Sequence, residues 1–346
     1  MVKTALSSRP RIEVGLVCDA GTANTGVYGV TDLFRYAGDA AAKHQTYDES
    51  SSLRIAHWLL DDQRGEIDCT YDTHPGTPHA PSVLIIPGNT RAPLDAGKDS
   101  LLVPWLRLRH ADGVVLAAVC GGVFLLAKTG LLAGRQATTH WAFAEDFATQ
   151  FPEVLMESAH MVIDYGDVVT AAGALAWADL GLRLIERFLG PTVMLETARY
   201  MLIDPPGREQ SFYSNFEPRL KHGDPSILKA QSWLATVREQ PVSVVQIAER
   251  AGLELRTFLR RFVKATGMKP SEYQQRLRIS RAREMLEFSR ASVEQIACAI
   301  GYTDAGGFRR VFRKVVGLTP SDYRRRFCRP TTQNDRVVVG ADVSLD

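Results

Sequence analysis

The feature that most constrains this chain is a duplication near its C-terminal end. Residues Val244–Tyr273 read VVQIAERAGLELRTFLRRFVKATGMKPSEY, and Val293–Tyr323 read VEQIACAIGYTDAGGFRRVFRKVVGLTPSDY. Ile247-Ala248 recurs as Ile296-Ala297 and Gly252 as Gly301, an offset of 49. Phe258, Phe262, Gly267, Pro270-Ser271 and Tyr273 recur as Phe308, Phe312, Gly317, Pro320-Ser321 and Tyr323, an offset of 50. The second copy therefore holds one extra residue in or just after its turn.

Each copy predicts helix, turn, helix. Ile247, Ala248 and Ala251 form a short apolar face, and Gly252 is placed to end the helix. Phe258 and Phe262, four apart, mark the buried side of a second helix. Its other face carries Arg256, Arg260, Arg261 and Lys264. In the second copy Thr303 or Asp304 is the capping residue. There Phe308 and Phe312 face inward, and Arg309, Arg310 and Arg313 outward. Between the copies, Ser271–Phe288 predicts one continuous basic helix with Leu277, Ala282, Met285 and Leu286 as its apolar stripe. Small alanines and a turn glycine permit the close crossing of a helix-turn-helix, whose second helix is free to enter a DNA major groove.

The charge distribution is uneven in the same direction. Residues 225–330 carry 21 Lys and Arg against 9 Asp and Glu, which leaves 20 against 30 for the rest of the 346 residues. A basic module on an acidic one suits phosphate binding. Taken alone, the charge fits a solvated helical surface equally well; the repeat decides between them.

Residues 225–330 resemble the DNA-binding domain of the AraC/XylS family of bacterial regulators. The resemblance rests on Gly301-Tyr302, Phe308, Arg310, Phe312, Gly317, Pro320 and Tyr323. It implies two helix-turn-helix units joined by a long helix and binding promoter DNA. It places base-reading positions of the first helix-turn-helix on Arg256, Leu259 and Arg260 and of the second on Ala305, Gly306 and Arg310; Thr257, Arg309 and Arg313 complete the expected DNA contacts. Gly306-Gly307 departs from the family's polar residues and offers no side chain to a base, so the second unit is expected to grip mainly phosphate.

Upstream, apolar runs alternate with helical stretches. Strands are expected at Ile12–Cys18, Ser82–Pro87, Val114–Val119, Met161–Asp164 and Val168–Ala171. Helices are expected at Gly26–Tyr36, Leu101–His110, Gly122–Lys128, Leu175–Leu189 and Thr192–Leu202. That alternation predicts a doubly wound, flavodoxin-like α/β domain. In AVCGGVFLLA (Ala118–Ala127) a strand ends at Cys120, two glycines follow, and a helix begins. This is the pattern of a nucleophile elbow, with a helix start favouring thiolate. A buried structural cysteine fits the elbow equally well. His140 is the nearest base candidate.

The segments IIPG (Ile85–Gly88), Ala117–Phe147 and Val168–Glu186 resemble the ThiJ/PfpI-like domain of the class I glutamine amidotransferase-like superfamily. The resemblance carries over Cys120 as the elbow cysteine and His140 as its neighbour. It places Asp32 near a position where relatives carry a glutamate, and leaves Asp179 as the candidate partner of His140. Gly121 stands where protease-like relatives carry histidine. The expectation is a non-catalytic pocket around Cys120, Gly121, His140 and Gly88 for a small, nitrogenous metabolite. The alternatives are a Cys-dependent amidase or hydratase, or a thiol redox sensor.

The expected domains are 10–203, a linker at 204–225, the helix-turn-helix domain at 226–330, and a mobile tail at 331–346. Five cysteines at irregular spacing give no disulfide framework or zinc pattern. No signal peptide or membrane span is expected, which predicts a cytoplasmic protein without metal or cofactor. By resemblance the partners are promoter DNA, a small-molecule effector, RNA polymerase and a second copy of the chain, and activation is the expected direction.

Overall fold

The computed structural model describes residues 12–19, 21–44, 53–61, 64–89, 101–237 and 242–328. The expected tail at 331–346 lies outside the described residues. The chain divides into two compact units between Gln210 and Ser211.

The first unit runs β1 (Ile12–Cys18), α1 (Asn24–Lys43), β2 (Leu53–Asp61), β3 (Glu66–Asp72), β4 (Val83–Ile86), α2 (Leu102–Ala111), β5 (Val115–Val119), α3 (Gly122–Lys128), β6 (Gln136–Ala137), α4 (Ala144–Gln150), β7 (Leu155–Met156), β8 (Val162–Asp164), β9 (Val168–Ala171), α5 (Trp177–Leu189) and α6 (Pro191–Tyr200). Seven strands form one sheet in the order β3-β2-β1-β4-β5-β9-β8. Strands β2, β1, β4, β5 and β9 are parallel, with antiparallel β3 and β8 at the edges. Counted among themselves, the parallel strands run 2-1-3-4-5, the flavodoxin order, whose direction reverses between β1 and β4.

Both faces of this sheet are covered. Val14, Leu16, Val83, Ile85, Ala117 and Val119 pack with α1, α5 and α6. The alternate residues Val17, Leu84, Ile86, Leu116 and Ala118 pack with α2, α3 and α4. Burial on two faces makes each central strand an unbroken apolar run. The doubly wound expectation therefore holds, and β1, β4, β5, β8 and β9 fall where the sequence places them. Strands β2 and β3 were not expected.

The second unit runs α7 (Pro225–Thr236), α8 (Val244–Ala251), α9 (Leu255–Thr266), α10 (Pro270–Phe288), α11 (Val293–Ala299), α12 (Ala305–Val316) and α13 (Pro320–Phe327). Helices α8 and α11 both start on a Ser-x-x-Gln capping box, Ser243 with Gln246 and Ser292 with Gln295. Two backbone donors are satisfied reciprocally in each. Gly252 and Gly301 both adopt positive φ, at 69° and 78°. The extra residue of the second copy lies after its glycine: α9 begins three residues after Gly252, and α12 four residues after Gly301. Asp304 caps α12, accepting from the N–H groups of Gly306 at 2.9 Å and Gly307 at 2.6 Å. A Cβ on Gly307 would lie 3.1 Å from that carboxylate.

Two cores result. Phe258 and Phe262 pack with Ile247, Tyr273, Leu277 and α7; Phe308 and Phe312 pack with Ile296, Ile279, Leu286 and Tyr323. Tyr273 meets Phe262 edge-on at 5.3 Å, and Tyr323 meets Phe312 likewise at 5.5 Å. Helix α10 contributes its first half to one core and its second half to the other, so its apolar residues point two ways. That corrects the single stripe expected: Ile279 belongs to it, and Met285 is only partly buried. Sharing α10 fixes the two helix-turn-helix pairs against each other.

The expected linker holds one 3-10 turn, Gln210–Phe212, and no longer element before Pro225. Its residues are nevertheless bonded. Arg208 and Gln210 bond within the first unit. Ser211 and Asn215 accept from buried Arg283 of α10 in the second. No helix among the described residues is long and apolar enough to cross a membrane.

Candidate nucleic-acid interface and the Cys120 elbow

Structure sorts the basic residues of the second unit into those holding the fold and those left on its surface. Arg278 donates to the Ile300 carbonyl at 2.6 Å and lies 4.1 Å over the Tyr302 ring. Arg283 is 4% exposed, and burial lowers its guanidinium pKa. Arg324 donates to the Ala291 carbonyl at 2.6 Å. Arg261, expected on the outward face, instead makes a two-pronged pair with Asp224, the cap of α7, at 2.6 and 2.9 Å. Hydrogen bonds from Arg261 hold the Asp224 carboxyl below its ordinary range. These arginines are braces.

The outward face of α9 is different. Arg256, Leu259 and Arg260 are exposed and Thr257 is half-buried. Among the described residues, Arg256, Arg260 and Lys264 form no hydrogen bond or ion pair, while Phe258 and Phe262 on the opposite side are fully buried. On α12, Ala305 and Gly306 are half-buried, and Arg309, Arg310 and Arg313 are exposed. Arg309 pairs with Glu294 of α11. Arg310 lies 3.9 Å from Asp304, with both side chains largely exposed, so that pair is weak. Arg313 has no ion pair among the described residues. The two units thus present unequal surfaces on one scaffold.

In the first unit Cys120 sits at the carboxyl end of β5, one strand from the reversal between β1 and β4. Its φ of 54° is a conformation that L-residues with side chains rarely adopt. Ligand crevices in such sheets form at that reversal. The turn is tight for a stated reason: a Cβ on Gly122 would lie 2.6 Å from the carbonyl oxygens of both Ile86 and Pro87. Gly88 packs directly on the cysteine, its added Cβ lying 3.1 Å from Cys120 Cβ. The Cys120 carbonyl accepts from Thr139 Oγ1 at 2.6 Å.

The thiol is 5% exposed. Burial pushes its pKa up, against the smaller opposing effect of the nearby Gly121 and Gly173 N–H groups. The helix start expected to favour thiolate is outweighed by desolvation. His140 accepts from the Ala142 N–H at Nδ1, 3.1 Å away, and burial lowers its pKa. Asp179 is not its partner; it is 3% exposed and paired to Arg208. Asp32 is exposed on α1. Among the described residues the crevice beside the elbow, lined by Cys18, Asp19, Thr22, Asn89 and Gly122, holds only about 10 Å³. Burial also pushes the Cys18 thiol up to about 12.

Gln210 was missed by sequence reasoning. Its amide donates to the carbonyls of Thr139 at 3.1 Å and Ser158 at 2.7 Å, and accepts from Trp141 N–H at 2.7 Å. It clamps the segment that carries His140 on both sides. No local pattern marks it, because all its partners lie more than fifty residues away in sequence.

A family profile described as a helix-turn-helix domain matches residues 247–326, and one described as the DJ-1/PfpI family matches residues 61–187. The chain is 29% identical over 217 residues to the HTH-type transcriptional regulator ArgR of Pseudomonas aeruginosa, covering 62% of this chain and 65% of that one. It is 28% identical over 225 residues to the HTH-type transcriptional regulator CdhR of the same organism, covering 64% and 66%. The match thus spans just under two thirds of each relative. Among solved structures, Drosophila melanogaster DJ-1beta aligns with a TM-score of 0.42 at 18% identity, over 56% of this chain and 98% of that one. The duplicated segment, matched in sequence and built as two helix-turn-helix pairs, is thus an AraC-type helix-turn-helix domain, and a domain matching the DJ-1/PfpI family precedes it in the chain.

Proposed function

We propose that this chain is a sequence-specific DNA-binding transcription regulator whose DJ-1/PfpI-family domain senses a small metabolite without catalysis. The observation that carries the DNA reading is the outward face of α9: Arg256, Arg260 and Lys264 stand unpaired above a core of Phe258 and Phe262, while the neighbouring arginines are engaged in the fold. Relatives named as HTH-type transcriptional regulators support it. The first helix-turn-helix reads bases and the second mainly grips phosphate through Arg310 and Arg313. Promoter DNA, RNA polymerase and a second copy of the chain are the partners, and activation is the direction.

Titration of a fluorescent duplex with the full chain at rising salt tests this. The logarithm of the affinity falls linearly with the logarithm of salt, with a slope near −0.9 per phosphate neutralised. A slope near zero would sink the DNA reading.

For the sensing domain, the raised thiol and the engagement of Asp179 by Arg208 argue against turnover at Cys120, and the assignment of Cys120, Gly121, His140 and Gly88 as the ligand site rests on the resemblance. The expected outcome of brief iodoacetamide treatment at neutral pH is alkylation of exposed Cys298 well before Cys120, read by mass spectrometry. Cys120 reacting first, or oxidising first under mild peroxide, would favour an enzyme or a thiol sensor instead.

A further inference from the structure

Helix α9 carries a second outward row beside its arginines. Leu255, Leu259 and Val263 are 39%, 39% and 42% exposed. They are spaced four apart, so they line one stripe of the helix. The row beside it, one residue on, is Arg256, Arg260 and Lys264. Single exposed apolar residues are ordinary. Three in register, on the flank of α9 between the buried phenylalanines and the cationic row, form one partly exposed apolar strip.

The sister unit shows that the fold does not require them. At the offset of 50, Leu255, Leu259 and Val263 correspond to Ala305, Arg309 and Arg313. The inward residues are kept: Phe258 matches Phe308 and Phe262 matches Phe312, all fully buried. The same scaffold therefore stands with arginine in two of these three places. What differs between the copies is what each second helix shows to its surroundings.

We infer that the Leu255–Leu259–Val263 row reads thymine C5-methyl groups in the major groove, a specificity that the second unit lacks. This rests on the DNA reading proposed above. The flanking unpaired cations commit the occupant to a polyanion, which draws α9 into a groove. Within the major groove the methyl of thymine is the apolar feature of the base edges, and apolar side chains recognise it there. Arg256 and Arg260 supply hydrogen bonds to guanine O6 and N7 from the adjoining row. The preferred half-site under α9 thus combines thymine with guanine, and the site under α12 carries no methyl preference.

The test uses the full chain and a duplex recovered by its own selection from random sequence. Each thymine is replaced in turn by deoxyuridine, which removes only the methyl. The expected result is an affinity loss on the order of fourfold at one or more thymines of the α9 half-site, and none under α12. Leu259→Ala should bind thymine and deoxyuridine alike at one of those positions, with its thermal midpoint unchanged, and Val263→Ala provides a second, independent variant. Undiminished discrimination in both variants, or no loss at any thymine, overturns the methyl reading while leaving sequence-specific binding intact. That outcome would mark the row as a protein-docking stripe. A chain that selects no sequence, or binds no duplex, overturns the proposed function as well.

Discussion

The Arg256→Ala, Arg260→Ala double variant should bind its selected duplex more weakly than the parent chain by about thirtyfold or more. Each arginine that donates two bonds to guanine is worth about 1–3 kcal/mol of discrimination. The two lie one turn apart on α9, so their effects are expected to couple rather than simply add. Neither side chain has a partner to lose in the free protein, which confines the effect to the bound state. The single variants separate the roles. If Arg260→Ala relaxes preference at one base pair, Arg260 reads a base. An equal loss on all duplexes, with the salt slope reduced by about one, makes it a phosphate clamp. Arg261→Ala provides the internal contrast: its guanidinium is pinned to Asp224, so it should lower the thermal midpoint and leave base preference untouched. Should the double variant bind as the parent does, α9 is not the reading helix and the proposal for this unit falls.

The contrast between Arg260 and Arg261 shows how far the sequence could be read. Periodicity put both on the non-aromatic side of α9, and that much is right. It could not show that α7 packs alongside, because Asp224-Pro225 falls in the expected linker and no helix was expected over Ile227, Ala230 and Leu234. The repeated Ser-x-x-Gln boxes were also legible and would have set the starts of α8 and α11 at one offset. The central strands were legible because burial on both faces leaves unbroken apolar runs. Strand β2 was not, because LRIAHWLLD carries Arg54 and His57, and both are buried. A charged residue in a strand reads as surface until its partners are known, and those partners are distant in sequence. At the elbow, the tight turn at Cys120 followed from the two glycines. The state of the thiol did not, since desolvation is a property of the assembled core.

The buried arginine itself carries the other large expectation. Arg54 is fully buried on β2. It donates to Asp72 at 2.8 and 2.6 Å, to Glu13 at 3.4 Å, and to the carbonyls of Thr77 and Pro78 at 2.9 and 3.1 Å. Glu13, 1% exposed, also bonds His79 at 2.7 Å and the Ala80 N–H at 2.8 Å. Arg54→Ala strips the cation from between two carboxylates and two carbonyls. Removing one partner of a buried pair costs about 3–5 kcal/mol. The thermal midpoint of the first unit should fall by roughly 10 °C, at 2–4 °C per kcal/mol for a unit of this size. Replacing the three charges together, as Glu13→Leu, Arg54→Met and Asp72→Leu, should recover most of that loss, because no unpaired charge is left behind. A triple variant no more stable than Arg54→Ala would mean that packing, not charge, sets the effect. Acid supplies the independent check. Hydrogen bonds from Arg54 hold the Asp72 carboxyl below its ordinary range, so its contribution is present above an unfolded value of about 3.9 and is lost as pH falls through the depressed folded value. The gap in stability between the parent and Arg54→Ala should therefore narrow below about pH 4; a gap that stays constant on acidification would show that Asp72 is not what Arg54 stabilises.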